Sequence, residues 1–164
     1  MQKLSDLLFG AMIDEYQRRA ALTASGFFRA ERAVLGYCGE TFEHQEDVML
    51  NGENADVIGE LGDRFWYLSE ICTSHNLSLF GVITGDLSTA PSQIPEARKK
   101  WLRGDYDQAE YTLRLSGGVR SAWAFAWDEC EAAGLALSTV LQANLDKLAD
   151  RQERGKIHGD GGKR

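Results

Sequence analysis

Apolar residues recur at spacings of three and four along most of this chain, the period of a helix with one buried face. Leu4, Leu8, Met12, Tyr16 and Ala20 predict a first helix from about Leu4 to Leu22, and Ser25-Gly26 ends it. A second helix is predicted from about Arg29 to Leu50, with Ala33, Val34, Tyr37 and Cys38 on its apolar side. The third, about Ala55 to His75, has the clearest pattern. Ile58, Leu61, Phe65, Leu68 and Cys72 form one stripe, and Asp56, Glu60, Asp63, Tyr67 and Glu70 form another. Asn76 is a helix stop and Ser78 a new N-cap, so a short apolar helix follows at Leu79–Ile83. The last strong helix runs from about Ser138 to Arg154. Val140, Leu141, Leu145 and Leu148 are its buried side, and Asn144, Lys147 and Arg151 share another face.

Between these lies a segment of different character, about 87–127, which opens on Pro91 and Pro95, the two prolines of the chain. It continues with a basic amphipathic stretch containing Arg98, Lys99, Lys100 and Arg103. Two helical stretches follow, Asp105–Leu115 and Val119–Ala132, with Gly117-Gly118 expected to separate them. Trp101, Trp123 and Trp127 are expected in its core. A faint echo flanks it, Leu77-x-Leu79-x-x-Val82 and Leu135-x-Leu137-x-x-Val140, so the segment reads as an insertion between two similar turns. A tail from about Gly155 is glycine-rich and basic, and loose when nothing is bound.

The chain has 164 residues, 43% of them hydrophobic, enough for one all-α domain with a real core. A net charge of -7 argues against a partner such as duplex nucleic acid or an anionic membrane, which select for a basic face. No apolar run approaches the roughly 18 residues of a membrane span. Three scattered cysteines, Cys38, Cys72 and Cys130, form no C-x-x-C and fit a reducing compartment. A cytoplasmic protein is expected.

Against this background two acidic pairs stand out, Glu40-x-x-Glu43 and Glu60-x-x-Asp63. Residues three apart on a helix share a face, about 5–6 Å apart at Cβ. Two such helices packed antiparallel bring four carboxylates to one point, which is costly unless a cation compensates. Hard oxygen ligands without histidine select Mg²⁺, with Mn²⁺ possible, and Mg²⁺ commonly serves phosphate-bearing substrates. Gly59 and Gly62 leave room around the second pair. Gly36 and Gly39 weaken the second helix by about 1 kcal/mol each relative to alanine, which makes sense if another backbone or a ligand comes close. Asp56, Glu46, Asp47 and Glu70 are read as solvated surface. A di-iron carboxylate bundle would need Glu-x-x-His twice, and the residues three before His44, His75 and His158 are Thr41, Cys72 and Gly155.

The order of these motifs resembles the all-α nucleoside triphosphate pyrophosphohydrolases, the MazG-like enzymes related to dimeric dUTPases. Glu15-Tyr16-Gln17 is similar to the family's first-helix signature, Gly39-Glu40-x-x-Glu43 to its first metal motif, and Glu60-Leu61-Gly62-Asp63 with Trp66-Tyr67-Leu68 to its second. Asn144-Leu145-x-Lys147-Leu148, Arg151 and Arg154-Gly155-Lys156-Ile157-His158-Gly159 resemble its C-terminal part. The chain departs from the pattern in the long 87–127 segment and in His44-Gln45-Glu46-Asp47, where small or apolar residues are usual.

The resemblance implies a four-helix-bundle-type core, a homodimer or a tetramer built from dimers, and hydrolysis of an NTP or dNTP to the monophosphate and pyrophosphate. It implies Mg²⁺ held by Glu40, Glu43, Glu60 and Asp63, with Glu43 or Glu40 accepting the proton of the attacking water. Lys147, Arg151 and Lys156 would contact phosphate, Asn144 sugar or phosphate, and Tyr67 would pack on the sugar. The competing reading is a non-catalytic helical interaction protein with a degenerate metal site, which leaves the four acids unexplained.

Overall fold

The computed structural model describes residues 2–24, 29–85 and 93–155, and all regular structure among them is helical. Seven α-helices follow in order: α1 (Gln2–Thr23), α2 (Arg29–Asn51), α3 (Val57–Ser74), α4 (Leu79–Thr84), α5 (Ile94–Leu102), α6 (Gln108–Ala132) and α7 (Leu137–Glu153). A 3₁₀ turn at Gly52–Asn54 joins α2 to α3. No helix among the described residues is long and apolar enough to cross a membrane. The tail from residue 156, with Lys156, and the opening of the 87–127 segment lie outside the described residues.

α3 is the central element. Its apolar stripe, Leu61, Phe65, Leu68 and Cys72, is completely buried, and α1, α2, α6 and α7 all pack on it. Asp56 caps its start by accepting from the Gly59 amide at 3.1 Å, and Asp47 accepts from the Asp56 amide at 2.7 Å. These two carboxylates tie the end of α2 to the beginning of α3. Pairings of residue 29 with 70 and 36 with 67 show the two helices running antiparallel.

From Phe9 onward α1 packs on its neighbours. Ile13, Tyr16 and Ala20 are buried, whereas Leu4 and Leu8 of the predicted stripe are 64% exposed, because the first turns reach beyond the packed body. Gln17 donates to Thr73 Oγ1 and to the Leu77 carbonyl and accepts from the Leu79 amide, holding the α3–α4 turn.

Gly117-Gly118 does not separate two helices: α6 runs unbroken through them. A glycine costs a helix only about 1 kcal/mol, and burial of both glycines beside Leu115 and Val119 outweighs it. Tyr111, Leu115, Val119 and Trp123 join the same hydrophobic core as α1–α3, so this part of the 87–127 segment is integral to the domain. The echo also has a structural meaning. Asn76 (φ 55°) and Gly134 (φ 69°) take the left-handed turn at matching places, and the Leu77 and Leu135 amides donate to the carbonyls of Cys72 and Cys130 at 2.9 and 2.8 Å. The equivalent rings of Phe65 and Trp123 pack on each other at 4.5 Å between centroids.

Candidate metal centre

Antiparallel packing of α2 on α3 gathers carboxylates at one place. One oxygen each from Glu40, Glu43 and Glu60 lies within 4.8 Å of the other two. Glu40 and Glu60 are half-buried and Glu43 is exposed. Asp63, one turn along α3, is outside this 4.8 Å group and faces α7, though its charge acts on Glu40 and Glu60. Its Oδ2 is 2.6 Å from Lys147 Nζ, and its Oδ1 accepts from Asn144 Nδ2 at 2.9 Å. Asn144 is buried, and its own carbonyl oxygen accepts from the Tyr16 hydroxyl at 3.1 Å. Tyr16, Asn144, Asp63 and Lys147 therefore form one chain of hydrogen bonds across α1, α7 and α3. Gly62 permits it, since a Cβ there would stand 2.9 Å from Asn144 Cβ.

Electrostatics mark Glu40 and Glu60 as charge-strained. Burial, followed by repulsion from Asp63, Glu43 and Glu60, pushes Glu40 up to about 7, against the pull of Lys147. Glu60 is raised by burial and then by Asp63 and Glu43, and its Oε2 is buried with no hydrogen-bond partner. Three close carboxylates with an unsatisfied buried oxygen offer hard oxygen donors that could hold a divalent cation, and this donor chemistry is compatible with Mg²⁺ or Mn²⁺ without being specific for either.

Tyr67 borders the acids. It is half-buried, and burial together with the Glu40 and Asp63 charges raises its hydroxyl, with Arg32 opposing. It also lines a cleft with Trp66, Arg29 and Arg32. Trp66 meets Tyr67 edge-on at 4.8 Å and donates to Thr23 Oγ1 at 3.0 Å. Arg151 is half-exposed one turn past Lys147 and forms no ion pair among the described residues.

Glu70 overturns its surface reading. It is 1% exposed and paired in bidentate fashion with Arg29 at 2.6 and 2.8 Å, because its turn of α3 faces the start of α2. Asp56 and Glu46 are exposed as expected, and Asp47 is half-buried. Arg64 and His44 are also buried, and both face Glu129 of α6. Sequence reasoning missed Tyr16 as the holder of Asn144, and Arg29 and Arg32 as walls of the cleft. A signal existed for the arginines: Arg29, Arg32, Gly36, Glu40 and Glu43 recur at three- and four-residue steps along one face of α2.

No family model matches this chain, nor does any curated protein or any solved structure.

Proposed function

We propose that the protein hydrolyses a nucleoside triphosphate, NTP or dNTP, to the monophosphate and pyrophosphate in a Mg²⁺-dependent reaction, as the MazG-like enzymes it resembles do. The observation that carries this reading is the convergence of Glu40, Glu43 and Glu60, one helical turn from an Asp63–Lys147 pair. Glu40, Glu43 and Glu60 hold the cation, and Asp63 joins them or orients Lys147. Bound Mg²⁺ would relieve the repulsion between water and an anionic phosphate and stabilise the leaving pyrophosphate. Glu43 or Glu40 accepts the proton of the attacking water. Lys147 offers its charge to the phosphate oxygens, and Asn144, fixed by Tyr16, keeps Asp63 in line. Tyr67 packs on the sugar.

A homodimer, or a tetramer built from dimers, belongs to the same proposal. Leu35, Phe42 and Met49, two turns apart along α2, are 72%, 71% and 85% exposed and form an apolar stripe suited to a second copy. The deciding experiment is pyrophosphate release from a panel of NTPs and dNTPs with Mg²⁺ or Mn²⁺, beside Glu60→Gln. Metal-dependent release that the variant loses is the expected result. Folded protein that binds neither metal would sink the hydrolase and leave the helical interaction module.

A further inference from the structure

Glu129 of α6 faces both helices that carry the acidic trio. Its Oε2 pairs with Arg64 Nη1 of α3, and its Oε1 lies 3.7 Å from His44 Nε2 of α2. Arg64 and His44 are buried and Glu129 is half-buried. Arg64 Nε, Arg64 Nη2 and His44 Nδ1 are buried with no hydrogen-bond partner among the described residues. The ion pairs that Arg64 and His44 form among those residues both lead to Glu129.

Residues four apart on a helix are neighbours on one face. His44 follows Glu40 by four on α2, and Arg64 follows Glu60 by four on α3. Glu40 and Glu60 are the two half-buried members of the trio. Glu129 therefore meets each helix one turn along the face that presents a metal-site carboxylate. Where such a carboxylate points depends on the rotation of its helix, and fixing the adjoining turn fixes that rotation. Repulsion between Glu40 and Glu60 also acts to part α2 from α3, and a side chain set against both helices opposes the separation. We propose that Glu129 is a positioning residue of the metal centre, holding α2 and α3 at the rotation and spacing in which Glu40 and Glu60 converge on a divalent cation. It touches neither the cation nor the substrate. The inference rests on the reading of the acidic trio as a cation site.

The double variant Arg64→Met with Glu129→Leu separates positioning from stability, because exchanging a buried pair for apolar groups of similar volume is often neutral. Its metal-free melting temperature should stay near that of the wild type. In calorimetric titration with Mn²⁺ its affinity should nonetheless fall about ten-fold, the low end of what an outer-shell partner contributes. A folded double variant that binds Mn²⁺ as tightly as the wild type would overturn the assignment. Where the double variant does not fold, His44→Leu decides instead, since it frees α2 alone and leaves Arg64 paired. Weaker Mn²⁺ binding is expected there, and unchanged affinity would overturn the assignment. A wild type that binds no Mn²⁺ would overturn it together with the hydrolase reading. Mn²⁺ binding that the double variant weakens, with no pyrophosphate release from any nucleotide by the wild type, would sink the hydrolase reading alone. Pyrophosphate release by the wild type, with Mn²⁺ affinity unaltered in the double variant, would sink the role of Glu129 alone.

Discussion

The ring of Tyr67 occupies the space that a side chain at Gly36 would need. A Cβ there would come within 2.8 Å of Tyr67 Cδ1 and nearer still to Cε1 and Cζ. The glycine, unfavourable in a helix by about 1 kcal/mol, lets α2 approach α3 closely enough to seat the ring between the carboxylates and the cleft. In Gly36→Ala the ring must move. Overpacking costs about 1–3 kcal/mol, against a smaller gain in helix propensity. A lower melting temperature is expected, together with a KM for nucleotide that rises more than kcat falls. A variant that melts higher with unchanged KM would show that Tyr67 does not depend on this contact.

The second prediction concerns charge. Glu40 holds its proton up to about 7 when folded, against 4.5 as an ordinary glutamate. Between these values the native state binds more protons than the unfolded chain, so this group's contribution to stability is lost as pH rises. His44 and His75, whose pKa values burial lowers, act in the opposite sense below about pH 6.5. The informative quantity is therefore wild type compared with Glu40→Gln. In EDTA the wild type should lose melting temperature relative to the variant between pH 5 and pH 8. Mg²⁺ or Mn²⁺ should raise the wild-type melting temperature more at pH 8 than at pH 5. Equal metal responses at both pH values would rule out Glu40 as the charge that the cation neutralises.

Periodicity made much of this fold legible. The predicted limits of α2, α3, α4 and α7 fall within about two residues of those observed, the usual scatter of helix ends. Asn76 and Ser78 act as the stop and cap their chemistry suggests. The acids converge because spacing on a helix fixes which residues share a face. What stayed hidden depends on contacts between distant segments. Nothing local to Glu70 announces that Arg29 waits across the α2–α3 interface, or that Arg64 is buried toward α6. Leu4 and Leu8 fit a buried stripe, but a stripe does not tell how far the neighbouring helices reach. The Asp63–Lys147 pair lay between these extremes. Both residues were legible as site candidates, and their direct contact appears only once α7 lies against α3.

The Arg64–Glu129 pair supplies a test of how α6 belongs to the domain. Arg64 is 1% exposed, its Nε and Nη2 lack partners, and its guanidinium faces the Phe125 ring at 5.8 Å. Removing one partner of a buried pair costs about 3–5 kcal/mol, whereas replacing both with apolar groups is often neutral. Glu129→Leu should therefore destabilise the protein by about 3 kcal/mol, and Arg64→Met with Glu129→Leu should recover most of that loss. Urea unfolding followed by tryptophan fluorescence and by circular dichroism measures both. Non-coincident transitions would mean that α6 unfolds as a separate unit.

Lys147 separates a structural clamp from a phosphate contact. It neutralises Asp63 and lowers the load on Glu40 and Glu60. Lys147→Met removes a positive charge beside three carboxylates, so metal affinity should rise. If the same ammonium also meets the phosphates, turnover should fall by about ten- to a hundred-fold, as expected for loss of an electrostatic contact in the transition state. The two readouts move in opposite directions, which mere unfolding would not produce. Isothermal titration with Mn²⁺ gives the first and pyrophosphate release the second. Lys147→Arg, which keeps the charge at a different reach, should retain more turnover than Lys147→Met. Tighter metal binding with unaltered turnover would confine Lys147 to holding Asp63 in place.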